Sequence, residues 1–183
     1  MPGARMLSNG LSVTKIITGL DIAHRIEQMF PAAVEDALPE AATVTRAQLL
    51  DVCSFLRDDP ELKFEFLSSL TAVDRLEYFE VVYHLTCIRL NQMTAIKVKA
   101  TDRENPRVPS VTPIWPGANL QEREAYDLMG IVFVGHPDLR RVFLWDGFDG
   151  WPLRRDYLIG PGGRFPGLER FPGESPEPLG GRG

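Results

Sequence analysis

Hydrophobic spacing divides the chain into a helical opening and a strand-rich middle. Ile22, Ile26, Met29 and Phe30 recur at helical intervals ahead of Pro31, predicting a helix from near Thr18, where Thr18 and Asp21 form a Thr-x-x-Asp capping arrangement. A second helix is predicted from Thr45, with Gln48 three residues on, a buried stripe of Leu49, Leu50, Cys53 and Leu56, and an end at Asp58-Asp59-Pro60. Residues 1–17 carry no such pattern and read as a flexible lead-in.

From Phe64 the period falls to two. Phe64 and Phe66 are expected to point one way, Thr71 to Asp74 to interrupt, and Tyr78 to Leu90 to continue as strand because it is rich in Val, Tyr, Phe and Ile. Asn91-Gln92 turns the chain into Met93 to Ala100, where Ile96 and Val98 alternate with Lys97 and Lys99, as on a sheet with one wet face. Together these segments predict an antiparallel hairpin or meander. Asn105-Pro106 and the prolines at 109, 113 and 116 break regular structure before a short helix, Asn119 to Met129, which Gly130 ends. Val132-Phe133 and Val142 to Leu144 are expected as short strands around a Gly135-His136-Pro137 turn.

After Ile159 the pattern stops. Eight glycines and five prolines fill 13 of the 24 positions from Gly160 to Gly183, too little side chain to offset the entropy of ordering. This Gly/Pro-rich tail reads either as a floppy end or as an extended arm anchored on a partner by Phe165, Leu168 and Phe171. The division is therefore a lead at 1–17, one domain at 18–159 and a tail at 160–183.

Composition narrows the function. With 44% hydrophobic and 25% charged residues, 183 residues suit one globular core, and a net charge of −5 argues against a nucleic-acid partner. No run nears the ~20 apolar residues that cross a bilayer, and Met1 to Asn9 leads into no signal-peptide core, so a cytoplasmic location without a membrane span is expected. Cys53 and Cys87 are too far apart for a CxxC metal site and read as small core residues.

The search for chemistry is mostly negative. GxGxxG, GxxxxGK[ST] and GxSxG motifs are missing, Gly160-Pro161-Gly162-Gly163 precedes no helix, and His24, His84 and His136 lack metal-ligand spacing. His136, between Gly135 and Pro137, reads as a ring hydrogen-bonded across a tight turn in preference to a base. Polar residues concentrate at Glu122, Arg123, Glu124, Tyr126 and Asp127, followed by Arg140-Arg141 and Arg154-Arg155-Asp156. The acids could serve acid–base work, mutual repulsion raising a pKa. The preferred reading is an ion-pair lattice in which the four downstream arginines fork onto the carboxylates, because no nucleophile, metal or phosphate cradle accompanies them.

The run Glu122-Arg123-Glu124-Ala125-Tyr126-Asp127-Leu128-Met129-Gly130-Ile131-Val132-Phe133-Val134-Gly135-His136-Pro137-Asp138-Leu139-Arg140-Arg141 resembles the signature of the 30-kilodalton (C-type) subunit family of respiratory complex I, NADH:quinone oxidoreductase. The likeness spans roughly residues 20 to 158, through Phe66 to Asp74, Phe79 to Leu85, Arg107 to Thr112 and Pro152-Leu153-Arg154-Arg155-Asp156-Tyr157. It departs from the family pattern at Trp145 to Trp151 and at Leu158-Ile159. The resemblance implies an α+β two-layer domain, N-terminal helices on a mainly antiparallel sheet, at the cytoplasmic side of the cell membrane. It implies a subunit without cofactor of its own, packed against the large quinone-site (49-kilodalton-type) subunit and near the iron–sulfur subunits of the peripheral arm. Flavin, iron–sulfur clusters and quinone would belong to partners, in an assembly that oxidises NADH, reduces quinone and translocates protons. Motif and interface candidates are Glu122, Arg123, Glu124, Tyr126, Asp127, Gly130, Gly135, His136, Pro137, Arg140, Arg141, Arg154, Arg155, Asp156 and Tyr157. Related subunits of membrane-bound hydrogenases or ferredoxin-fed quinone reductases, and a self-contained acid–base enzyme, are the competing readings.

Overall fold

The computed structural model describes residues 13–157. The tail at 160–183 and most of the lead lie outside that range.

β1 is Lys15–Ile16, and α1 follows at Gly19–Met29. Thr18 caps α1 as its sequence predicts, its Oγ1 accepting from the Asp21 N–H, while its hydroxyl donates to the Asp21 carboxylate at 2.8 Å. Ile22 and Ile26 are fully buried, but Met29 is exposed, because the chain leaves the core as the helix ends. Gly19 packs so closely on Ala41 that a Cβ would collide with its backbone, which sets how near α1 lies to the strands beneath it.

Between the two helices the structure holds a hairpin that spacing did not reveal, β2 (Val34–Leu38) with β3 (Ala41–Val44). Alanine-rich Ala41-Ala42-Thr43-Val44 has weak strand propensity, yet all four residues are buried. Tertiary context decides here. Thr45 leads into a 3₁₀ turn, Arg46–Gln48, so α2 proper is Leu49–Asp58 and begins later than predicted. Its buried stripe is Leu49, Val52, Cys53 and Leu56; Leu50, one position off that face, is exposed.

β4 (Phe66–Asp74), β5 (Phe79–Cys87) and β6 (Gln92–Ala100) form the expected antiparallel meander. Two details differ. Phe64 is buried just ahead of β4 while Phe66 is exposed, and Thr71 to Asp74 continues the strand, kept there by pairing with β5. Alternation places Phe79, Val81, Tyr83, Leu85 and Cys87 of β5 in one core with Ile96, Val98 and the stripes of α1 and α2. The other face is polar, with Lys97 near Glu80 at 3.6 Å and Lys99 near Glu35 at 3.3 Å. The sheet order is β2-β3-β6-β5-β4, with β1 also on β6. β3 and β1 run parallel to β6, so this α+β sheet is mixed, three antiparallel pairings against two parallel.

The second half adds a small parallel unit: β7 (Arg107–Pro109), α3 (Ala118–Met129) and β8 (Val132–Val134), with β7 paired to β8. The proline-rich stretch thus contains a strand the sequence did not advertise. α3 lies along the outer edge of β4, where Gln121 Oε1 accepts from the Leu70 N–H and occupies an edge donor. Trp115 anchors the approach to α3 by donating from Nε1 to the Phe64 carbonyl at 2.9 Å. Gly130 ends the helix in the left-handed region at φ 72°, as predicted. Val142 to Leu144 is not a strand; its amides are held by a carboxylate instead.

Candidate functional site: buried carboxylates at the end of the sheet

α3 turns Glu122 and Asp127 inward and both are wholly buried, whereas Glu124 faces solvent and Tyr126 is partly buried against the core. A buried carboxylate requires donors, and each finds a different set. Asp127 Oδ2 accepts three consecutive backbone N–H groups, from Val142 at 2.9 Å, Phe143 at 2.7 Å and Leu144 at 3.0 Å, and Oδ1 accepts from Arg141 at 3.2 Å. The result is a cradle in which the chain bends around one oxygen. Arg141 also reaches the Phe148 and Gly150 carbonyls.

Among the described residues Glu122 meets no cation. Its Oε1 accepts from the Val111 N–H at 2.7 Å and its Oε2 from the Ser110 hydroxyl at 2.6 Å. Burial pushes its pKa from 4.5 up to about 7, against those two hydrogen bonds, which favour the ionised form. Repulsion by Glu124 and Asp127 is not the cause.

A third buried carboxylate, Asp74, ends β4. Arg103 binds it bidentately at 2.6 and 3.1 Å and bridges to Asp156 at 2.7 Å, while the Leu76 and Arg155 N–H groups complete its shell. The Arg103 hydrogen bond is the largest influence holding Asp74 well below the usual carboxylate range. Sequence reading did not single out Asp74 or Arg103. Their separation of 29 residues carries no periodic signal, although Asp before a turn hints at the bond to Leu76.

The arginine lattice is therefore realised differently from its prediction. Of the four downstream arginines only Arg141 binds one of the α3 acids. Arg140 pairs with Asp138 at the surface. Arg154 donates from Nε to the Met129 carbonyl at 2.7 Å and lies over the rings of Trp151 at 4.1 Å and Phe79 at 4.9 Å. Arg155 contributes its backbone to Asp74, its side chain being exposed. Arg123, on α3 itself, donates to the Arg140 and Arg141 carbonyls. Peptide carbonyls take what the carboxylates do not, because the acids already hold backbone amides.

His136 sits across its turn. The Asp138 N–H donates to Nδ1 at 2.9 Å, leaving Nε2 to carry the proton and donate to the Asn119 carbonyl at 3.1 Å. Gly135 and Pro137 line an open groove of about 310 Å³ with Thr112, Pro113, Pro116 and Asn119. Tyr157 stacks on Phe148 and donates to the Asp149 carbonyl, its ring lying where a side chain on Gly150 would be. Among the described residues no three His, Cys, Asp or Glu side chains converge as a metal would require, and Cys53 and Cys87 are both buried. None of the described helices is long and apolar enough to cross a membrane.

The profile of the family described as the 30 Kd subunit of respiratory-chain NADH dehydrogenase matches residues 42–161. The C subunit of the NADH-quinone oxidoreductase of Roseiflexus sp. (strain RS-1) is 43% identical over 152 residues, covering 77% of this chain and 86% of that protein. The C 2 subunit of the NADH-quinone oxidoreductase of Rhizobium meliloti (strain 1021) is 42% identical over 141 residues, covering 75% of each. Among solved structures, a chain of the membrane-bound sulfane sulfur reductase, an archaeal respiratory membrane complex, superposes with a TM-score of 0.61 at 27% identity, covering 77% of this chain and 86% of that one. Match length and identity together establish that this chain belongs to the 30-kilodalton subunit family of respiratory-chain NADH dehydrogenase.

Proposed function

We propose that the chain is a cofactor-free bracing and assembly subunit in the peripheral arm of a proton-translocating NADH:quinone oxidoreductase, docked on the large quinone-site subunit at the cytoplasmic side of the membrane. The observation that carries this reading is how the motif is used. Buried Asp127 and Asp74, with Arg141, Arg154 and Arg103, spend their hydrogen bonds inside the domain, fastening residues 138–157 around the end of α3 and β4, while buried Glu122 ties α3 to the loop after β7. Fastened there, the segment holds Val142, Phe143 and Leu153 out to solvent, Phe143 with 64% of its surface exposed. Large apolar side chains pinned outward by a rigid polar frame suit a permanent protein neighbour more than a small substrate.

Phe143→Asp tests the docking. The variant should keep the wild-type melting temperature yet fail to copurify with the large subunit from gently solubilised membranes. Normal recovery of the complex with full quinone reductase activity would remove that face from the interface.

The sulfane sulfur reductase neighbour favours one second reading, a homologous subunit of another membrane-bound redox complex, a class that also includes hydrogenases and ferredoxin-fed quinone reductases. Copurifying flavin and NADH-oxidising subunits would decide for the first reading, a nickel–iron centre for the hydrogenase.

A further inference from the structure

Of the three buried carboxylates at this site, Glu122 is the one without an arginine among the described residues. The groups facing it are Cys53 of α2, Tyr83 of β5, and Ser110 and Val111 of the loop after β7. None is a cation. Burial is the main cause holding Cys53 and Tyr83 protonated, followed by Glu122 for Cys53 and by Cys53 and then Glu122 for Tyr83, and the buried Tyr83 hydroxyl has no hydrogen-bond partner among the described residues. On α3 the neighbouring charges are engaged elsewhere: Arg123 with the Arg140 and Arg141 carbonyls, Asp127 with Arg141, and Glu124 in solvent. An isolated buried carboxylate of this kind relieves its desolvation by taking up a proton.

The proton has a defined place. Oε1 already faces the Val111 N–H, which cannot accept, so a proton must reside on Oε2, 2.6 Å from Ser110 Oγ. Ser110 Oγ in turn lies 2.8 Å from Thr112 Oγ1, in a contact where either hydroxyl can donate. Thr112 lines the open groove with Pro113, Pro116, Asn119, Gly135 and Pro137. The three oxygens form a chain from core to surface.

We propose that Glu122, Ser110 and Thr112 form a proton-operated switch, in which the protonation state of the buried carboxyl sets the direction of the hydroxyl chain and so the hydrogen-bonding character of the groove. With Glu122 ionised, Ser110 donates inward to Oε2 and Thr112 donates inward to Ser110, so Thr112 turns only lone pairs outward. With Glu122 protonated, Oε2–H donates to Ser110, Ser110 donates to Thr112, and the Thr112 hydroxyl is free to donate into the groove. The change is balanced by one proton: on ionisation Thr112 gives its outward proton to solvent and takes the Ser110 proton while Ser110 takes the Glu122 proton, and on protonation solvent supplies a proton to Thr112 and the same transfers run in reverse. An occupant presenting a carbonyl is thus favoured by the protonated form.

The test is a carbon-detected NMR titration of the full-length chain. The Glu122 side-chain carboxyl should titrate with a midpoint near 7 and not near 4.5, and the Ser110 and Thr112 side-chain signals should move with the same midpoint. Glu122→Gln, whose amide donates permanently to Ser110, should render the Thr112 signals independent of pH. Ser110→Ala should leave the carboxyl titrating, with a higher midpoint, while Thr112 ceases to follow. A Glu122 midpoint near 4.5 would overturn the proposal, as would Thr112 signals that titrate alike in wild type and Glu122→Gln, or that still follow Glu122 in Ser110→Ala.

Discussion

Gly130 holds φ 72° where α3 stops, and a Cβ there would collide with the Trp151 ring and lie 2.7 Å from Arg154 Nη2. Left-handed backbone alone costs another residue about 1–2 kcal/mol, and the collision adds to it by lifting Trp151 and Arg154 away. Gly130→Ala should therefore lower stability by more than about 2 kcal/mol in urea unfolding, well above a surface substitution. Glu122 gives a second residue-scale expectation. Its folded pKa of about 7 exceeds the 4.5 of an unfolded chain, so between those values the native state binds more protons. Stability from this group is complete below pH 4.5 and declines as pH rises through 7, by on the order of 3 kcal/mol at 1.36 kcal/mol per pKa unit. Glu122→Gln should flatten that part of the stability-against-pH curve, measured by denaturant midpoints; an unchanged slope would show that other groups cause it.

At the scale of elements, Asp127 shows how one side chain replaces a strand. Val142, Phe143 and Leu144 are apolar enough to suggest pairing, but their N–H groups converge on a single carboxylate oxygen. Asp127→Ala should free this segment, raising hydrogen exchange at those amides while β5 and β6 stay protected, and cost roughly 3–5 kcal/mol because Arg141 loses its buried partner. The two adjacent arginines should then differ sharply. Arg141→Ala should mimic part of the Asp127 defect, whereas Arg140→Ala, exposed and paired with Asp138 at the surface, should leave the melting temperature unchanged.

Across the whole molecule, Asp74 ties parts that are distant in the chain. It joins β4 to Arg103 and, 81 residues on, to the Arg155 N–H. Its folded pKa is depressed, so its contribution is present above the ordinary carboxylate range and is lost as pH falls below it, opposite in sign to Glu122. Asp74→Asn should therefore lower stability at neutral and alkaline pH and flatten the acid limb of the stability-against-pH curve, the two proteins converging as pH falls below the carboxylate range. Denaturant midpoints equal to wild type at neutral pH would mean that this tie adds nothing.

Local patterns in the chain were sufficient for the capped start of α1, three of the four buried residues of α2 (Leu49, Cys53 and Leu56), the β4–β6 meander, and the α3 helix stopped by Gly130, because each is written in spacings of two to four residues. The signature from Glu122 to Arg141 likewise marked where the polar frame would lie. The partners within that frame were not legible. Glu122 meets Ser110, Asp127 meets Arg141 and Asp74 meets Arg155 across 12, 14 and 81 positions, separations at which no periodicity constrains the pairing. The β2–β3 hairpin was hidden for a related reason: the alanine-rich segment becomes strand there through its pairing with β6 and the close approach of Gly19 of α1 to its backbone. Periodicity reports which face of an element is wet; only packing decides which donor reaches which buried oxygen, since that depends on how distant elements close around it.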